Sequence, residues 1–127
     1  MRTYTSSFND HFRQRTKKLA IDLCKFLEKL PYQESIKIFR KQCIRSGSSV
    51  AANFRAACRA RSQAEYFAKL CIVVEECDET IFWLEMISEM NPKYNQQINQ
   101  LQNEAQELLN VFSTTKKKLK TNLHPNK

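Results

Sequence analysis

Hydrophobic residues recur at steps of three and four along most of this chain, the spacing that gathers them on one face of an α-helix. The periodic stretches predict four helices, over about residues 7–30, 34–60, 62–90 and 92–120. Pro31 ends the first helix, and Ser62 with Glu65 opens the third in a capping-box pattern. The fourth helix is predicted to start with Asn91 as its N-cap and Pro92 at its first position.

Composition favours the same architecture. The chain has 127 residues with one glycine and three prolines, which leaves few residues for the tight turns of a β-sheet. Long helices joined by short connections favour an all-α, antiparallel, up-down-up-down four-helix bundle over residues 1–120. Residues 121–127 follow the last periodic position and are predicted to be a flexible tail.

The interior of the second helix is built from unusually small residues around Gly47. Glycine and serine lower helix propensity, so this segment has two interpretations. The helix either breaks near residues 46–49 or allows a neighbouring helix to approach it closely.

The third helix carries more apolar surface than the core of a monomeric bundle needs. One set of apolar residues lies more than 90° around the helix from its core face: Ile72, Trp83, Met86 and Met90. Clusters of this kind are typical of interfaces, so these residues predict a homo-oligomer. The alternative is that the third helix is simply the most buried helix of a monomer.

The cysteines and the hydropathy of the chain exclude several classes of protein. Five cysteines without C-x-x-C spacing lie at helical intervals among apolar residues, which predicts reduced packing groups: Cys24, Cys43, Cys58, Cys71 and Cys77. The N-terminal residues lack the apolar core of a signal peptide, and no window approaches 18 uncharged apolar residues. We therefore expect a cytoplasmic protein without a membrane segment.

Charge is distributed unevenly along the chain, whose formal net charge is +8. Lys and Arg outnumber Asp and Glu 14 to 4 through Arg61, whereas acids outnumber cations 7 to 1 over residues 62–91. The second helix carries a row of cations on one face, which we call the basic row: Lys37, Lys41, Arg45, Arg55 and Arg59. An unbroken helix would extend this row over roughly 33 Å.

Like charges at this spacing destabilise a helix, so the basic row suggests an anionic counterpart. One counterpart is the phosphate backbone of RNA or DNA, which predicts the five cations as nucleic-acid-binding residues. The other is the acidic face of the third helix, in the same subunit or a neighbouring one: Glu75, Asp78, Glu85 and Glu89.

The residue inventory argues against catalysis. No P-loop, G-x-S-x-G or H-E-x-x-H pattern is present, and the two histidines, His11 and His124, lie near the ends of the chain. Neither histidine completes the Glu-x-x-His pair of a di-iron bundle. We expect a non-enzymatic protein with no cofactor and no metal site.

Several short motifs carry a family resemblance. They are Gln42-Cys43-Ile44-Arg45-Ser46, Ser49-Val50-Ala51-Ala52-Asn53, Arg61-Ser62 with Glu65-Tyr66-Phe67, and the later Glu76, Glu79 and Leu84. Together they resemble the four-helix proteins encoded in intervening sequences of bacterial 23S rRNA genes, over about residues 8–119, with Q-x-x-R-S-x-x-S-V-x-x-N as the most specific part. Many members continue the asparagine with I-A-E-G, whereas here Asn53 precedes Phe54-Arg55-Ala56-Ala57, which removes an acid and adds a cation.

The resemblance implies a protomer that assembles as a homopentamer with a basic surface for nucleic acid. The same family includes the accessory protein of diversity-generating retroelements, which implies an alternative role as a structural adaptor for a reverse transcriptase. Ser49 and Asn53 are expected to be satisfied polar groups in a seam of the bundle, with contact to a ligand as the alternative, and Gln42 is expected at the surface or between subunits. The sequence thus predicts an oligomeric bundle that binds RNA or DNA through phosphates, without base specificity.

Overall fold

A computed structural model describes residues 5–123 of the chain. Its four helices are α1 (Ser6–Leu27), α2 (Glu34–Cys58), α3 (Gln63–Met90) and α4 (Asn95–Leu123), with a single 3-10 turn at Pro92–Tyr94. The predicted all-α fold is confirmed. The helix α4 continues to Leu123, three residues into the predicted tail, while the remainder of that tail, with His124, lies outside the described residues.

Aromatic contacts define the two ends of the bundle. At one end, the ring of Phe112 in α4 lies 5.6 Å from Phe12 in α1 and 4.9 Å from Phe54 in α2. We call this the Arg61 end, because the turn between α2 and α3 contains Arg61. The opposite Pro31 end holds the turn from α1 to α2 and the contact of Phe26 with Tyr94. Among the helices that lie side by side, α2 and α3 share the most extensive packing and α1 and α4 the least.

The helix termini follow the predicted caps in part. Ser62 Oγ accepts a hydrogen bond from the Glu65 amide at 3.1 Å, but the Glu65 carboxylate lies near Arg61 instead of completing the capping box. The predicted start of α4 is confirmed in position, because Asn91 is the N-cap of the 3-10 turn that leads into α4 and Pro92 is at the start of that turn. The Asn91 side chain makes no capping hydrogen bond there. Asn91 also ends α3, and its side-chain amide donates to the Ile87 carbonyl at 3.4 Å.

Gly47 lies in an unbroken helix, so of the two interpretations close approach is correct. A Cβ atom at Gly47 would lie 2.5 Å from Leu23 Cδ1, and both residues are buried between α1 and α2. Glycine therefore allows α2 to approach α1 more closely than any other residue would at this position.

The core is apolar with a few paired polar groups. The Tyr66 hydroxyl donates to Asn9 Oδ1 at 2.9 Å, and the Thr80 hydroxyl donates to Ser46 Oγ at 2.8 Å. All five cysteines are thiols. Cys43 and Cys77 are fully buried, and this burial raises the pKa of each thiol to about 12; the other three are half-buried.

Candidate nucleic-acid interface

The five cations of the basic row are all exposed on α2, but they face different surroundings. Lys37 and Lys41 lie near the Pro31 end, Arg55 and Arg59 near the Arg61 end, and Arg45 between them. Because the helix is continuous, the row is continuous along the backbone. The neighbouring helices nevertheless divide it into separate surfaces.

Arg45 pairs with acids of α3. Its Nη1 lies 3.3 Å from Glu76 Oε2, its Nη2 donates to Glu79, and its Nε donates to Gln42 Oε1 at 3.3 Å. The hydrogen bond to Glu79, followed by the negative charges of both carboxylates, raises the pKa of Arg45. The ion-paired alternative therefore describes Arg45, with different acids of α3 from those predicted. Two carboxylates compete with a phosphate for its guanidinium, and its contact with nucleic acid stays a prediction.

Arg55 and Arg59 have no such partner. Within residues 5–123, no carboxylate lies within ion-pair distance of either guanidinium. Both line a groove of about 810 Å³ between α1 and α2, together with Arg13 and Lys17 of α1. We call it the α1/α2 groove, and its other lining residues are Gln14, Ala20, Ser48, Ala51 and Ala52.

The helical spacing explains why this groove exists. Residues 48, 52, 55 and 59 follow one another at steps of four, three and four, so they share one face of α2. Residues 13, 17 and 20 do the same on α1. The positions nearer the Pro31 end are Ala or Ser on both helices, and their short side chains leave the space open, while the positions nearer the Arg61 end carry the four long cations. The predicted row missed Arg13 and Lys17, which the same periodicity on α1 could have shown.

Further cations lie at the Arg61 end. The last turns of α4 reach this end and carry Lys116, Lys117, Lys118 and Lys120. Lys117 and Lys118 line a shallow depression with Thr114 and Thr121. In contrast, the outward face of α3 exposes the acids Glu75, Asp78, Glu85 and Glu89. Positive charge is thus concentrated at one end of the bundle, and negative charge along α3.

The predicted oligomer residues differ in exposure. Ile72 is 36% exposed and Met90 48%, whereas Trp83 and Met86 are half-buried. The Trp83 ring lies 5.7 Å from Phe39 of α2, and its Nε1 donates to Glu79 Oε2 at 3.1 Å. The exposed aromatic residue of α3 is instead Phe82, which is 47% exposed. Phe82 was not among the predicted interface residues.

Two motif residues are satisfied inside α2. The Asn53 amide donates to the Ser49 carbonyl at 3.0 Å and to Ser49 Oγ at 2.9 Å. These bonds confirm that the two polar groups are paired, but the pairing lies within one helix and not between helices. Over residues 5–123, no group of three or more His, Cys, Asp or Glu side chains is placed to hold a metal ion.

In the same part of the chain, no helix has the length and apolarity needed to cross a membrane.

Comparison with known proteins identifies related chains. Residues 10–114 match the family described as 23S rRNA-intervening sequence protein. A crystal structure of a protein of unknown function from the S23 ribosomal protein family of Bacteroides thetaiotaomicron is similar in fold, with a TM-score of 0.78 and 26% sequence identity. The alignment covers 86% of this chain and 97% of that one. None of the curated proteins matches this chain.

Proposed function

The chain belongs to the 23S rRNA-intervening sequence protein family, and we propose that it is a non-enzymatic bundle that binds RNA or DNA through phosphates. The observation that supports this proposal is the exposure of Arg55 and Arg59, without a carboxylate partner in the described part of the chain, beside the cations of α1. Arg55 and Arg59 stand four residues apart, a spacing at which like charges repel. A polyanion relieves that repulsion and releases its condensed counterions.

Phosphate contact also accounts for the expected lack of base specificity. Phosphates repeat identically whatever the base sequence, so cations that bind only them carry no sequence information. We propose further that the protein is a homo-oligomer, for which the family resemblance implies a pentamer. Each added subunit would then present another α1/α2 groove to the same strand and raise avidity without any new contact.

The test is a salt titration of binding to a fluorescently labelled nucleic acid, measured by anisotropy. The double substitution Arg55→Ala with Arg59→Ala should weaken binding and lower the slope of log affinity against log salt by about 1.8 on duplex DNA, at about 0.9 per phosphate contact. Thermal unfolding should be unchanged, because both side chains are exposed and lack an ion pair in the described structure. A wild-type affinity that does not depend on salt would overturn the proposal.

The matched control is Lys37→Ala with Lys41→Ala, which removes the same charge from the other end of α2. If only the α1/α2 groove binds phosphates, this variant should keep most of its affinity. If the whole row binds, both double variants should lose affinity equally. Arg45→Ala separates ion pairing from phosphate binding within the basic row. It should lower the free energy of unfolding by about 0–1 kcal/mol, the range of exposed ion pairs, and leave nucleic-acid binding intact.

A second candidate function is that of a structural adaptor for a protein such as a reverse transcriptase. The exposed apolar side chains of Phe82 and Met90 on α3, with Ile38 on α2, favour it. An oligomer that remains intact but binds no nucleic acid even at low salt would favour the adaptor over the phosphate-binding role.

A further inference from the structure

The two sides of the α1/α2 groove are formed by different helices. Arg55 and Arg59 lie on the α2 side, and Arg13 and Lys17 lie on the α1 side. Lys17 has no carboxylate within ion-pair distance in residues 5–123, and Arg13 contacts only the half-exposed Asp10, at 2.5 Å. An exposed pair of this kind exchanges readily for a phosphate, because it contributes little stability.

The uncharged residues that line the groove indicate which kind of nucleic acid it suits. Its uncharged lining residues are Gln14, Ala20, Ser48, Ala51 and Ala52, and among residues 5–123 no aromatic side chain lines it. Proteins that bind single strands combine a basic groove with aromatic side chains on which bases stack. This groove offers positive charge without stacking, so it favours the ligand with the higher charge density. Duplexes carry about one charge per 1.7 Å of axis, twice that of one strand.

The length of the groove fits a short run of one duplex strand. The cations occupy the part of the groove nearer the Arg61 end, where the backbone rises about 6 Å from Arg55 to Arg59 and again from Arg13 to Lys17, at about 1.5 Å per residue. One strand of a duplex places a phosphate about every 3.4 Å along the helix axis, so each pair of cations spans about two phosphates. The two pairs can therefore contact a short run of one strand from both sides.

We infer that the α1/α2 groove binds the sugar-phosphate backbone of a double-stranded nucleic acid, held between Arg13 and Lys17 on one side and Arg55 and Arg59 on the other. This inference rests on the proposed function and narrows it to duplexes. It also assigns a binding role to two residues of α1 outside the basic row.

The experiment compares a 20-base-pair duplex with a 20-nucleotide oligothymidine, in the presence of wild-type protein and of Arg13→Gln with Lys17→Gln. With four contacts, wild-type slopes should be about −3.6 on the duplex and −2.8 on the single strand. If the two affinities converge at 1 M salt, this difference gives about sixfold tighter duplex binding at 0.1 M salt. The variant should lower the duplex slope by about 1.8 and the duplex affinity roughly tenfold or more. Lys17→Gln alone should give about half the change in slope.

The matched control is Lys25→Gln with Lys29→Gln. These two exposed lysines belong to α1 and the turn after it, but they line the space between α1 and α4 instead. This variant should bind the duplex like the wild type. Circular dichroism and thermal unfolding of each variant verify that the bundle is folded.

Three results would overturn the inference. Equal or tighter binding of oligothymidine would exclude duplex preference but leave phosphate binding in place. Loss of binding in Arg55→Ala with Arg59→Ala but not in Arg13→Gln with Lys17→Gln would exclude the α1 side of the groove. Failure to bind either nucleic acid at low salt would reject the proposed function itself.

Discussion

At the scale of single residues, one buried hydrogen bond joins two helices near the Arg61 end. Asn9 near the start of α1 is 3% exposed, and Tyr66 near the start of α3 is 1% exposed. The bond from the Tyr66 hydroxyl to Asn9 Oδ1 satisfies an amide oxygen that water cannot reach. A buried acceptor that loses its donor retains the cost of its desolvation.

Substitution of Tyr66 tests this bond. Tyr66→Phe should lower the free energy of unfolding by about 1–3 kcal/mol, because the Asn9 oxygen stays buried without that donor. Tyr32→Phe is the matched control, since Tyr32 is 64% exposed and donates to Glu34 at the surface. Urea denaturation of both variants measures the difference, and an equal effect of the two substitutions would contradict the role given to Tyr66.

Residue-level chemistry was predictable where it is local. The Ser62 cap depends on the next three residues of the chain, so the sequence shows it directly. The Tyr66–Asn9 bond and the Arg45 ion pairs join residues far apart in the chain, so no local sequence pattern predicts them. For this reason the basic row appeared uniform in the sequence, although in the structure one of its five members pairs with α3.

At the scale of helices, the contact of α1 with α2 depends on Gly47. The sequence shows that glycine lowers helix propensity, but it does not show that glycine allows close packing with α1. That packing depends on Leu23, 24 positions earlier, whose side chain fills the space that a side chain at position 47 would occupy. Propensity alone therefore could not decide between a broken helix and a close helix pair.

Gly47→Ala weighs these two effects against each other. Alanine gains about 1 kcal/mol in helix propensity. Overpacking against the fully buried Leu23 costs about 1–3 kcal/mol. We expect a net loss of about 1 kcal/mol in the free energy of unfolding, measured by urea denaturation. Ser48→Ala, one residue away on the exposed surface of α2, should instead be neutral or slightly stabilising, and a more stable Gly47→Ala variant would show that Leu23 can move aside.

At the scale of the whole molecule, the sequence predicted in part which apolar residues of α3 are exposed. Helical geometry correctly placed Ile72 and Met90 away from the core. The spacing of residues along α3 could not show that Phe39 of α2 packs against Trp83 or that Phe82 remains exposed. The exposure of both side chains depends on where the neighbouring helix lies. The bundle itself was predictable, since its helices follow from periodicity and punctuation within each segment.

We predict that the protein is a homo-oligomer whose interface includes the exposed apolar residues of α3, Ile72, Phe82 and Met90. Light scattering at tens of micromolar should give a mass above that of a monomer, since interfaces of standard size are populated there. Phe82→Asp should shift the protein towards monomer by placing a charge in an apolar contact. Ile21→Asp is the matched control, because Ile21 is 46% exposed on α1. Dissociation by Ile21→Asp and not by Phe82→Asp would move the interface to α1.

The separation of charge between the Arg61 end and α3 also affects how an encounter begins. Unequal charge along the bundle makes each protomer an electric dipole, and the field of a polyanion exerts a torque on it. Within about one Debye length, roughly 10 Å at 0.1 M salt, that torque turns the Arg61 end forward before contact. Under the proposed function, the α1/α2 groove reaches the strand already facing it, so we predict that added salt slows association itself as well as weakening the final complex.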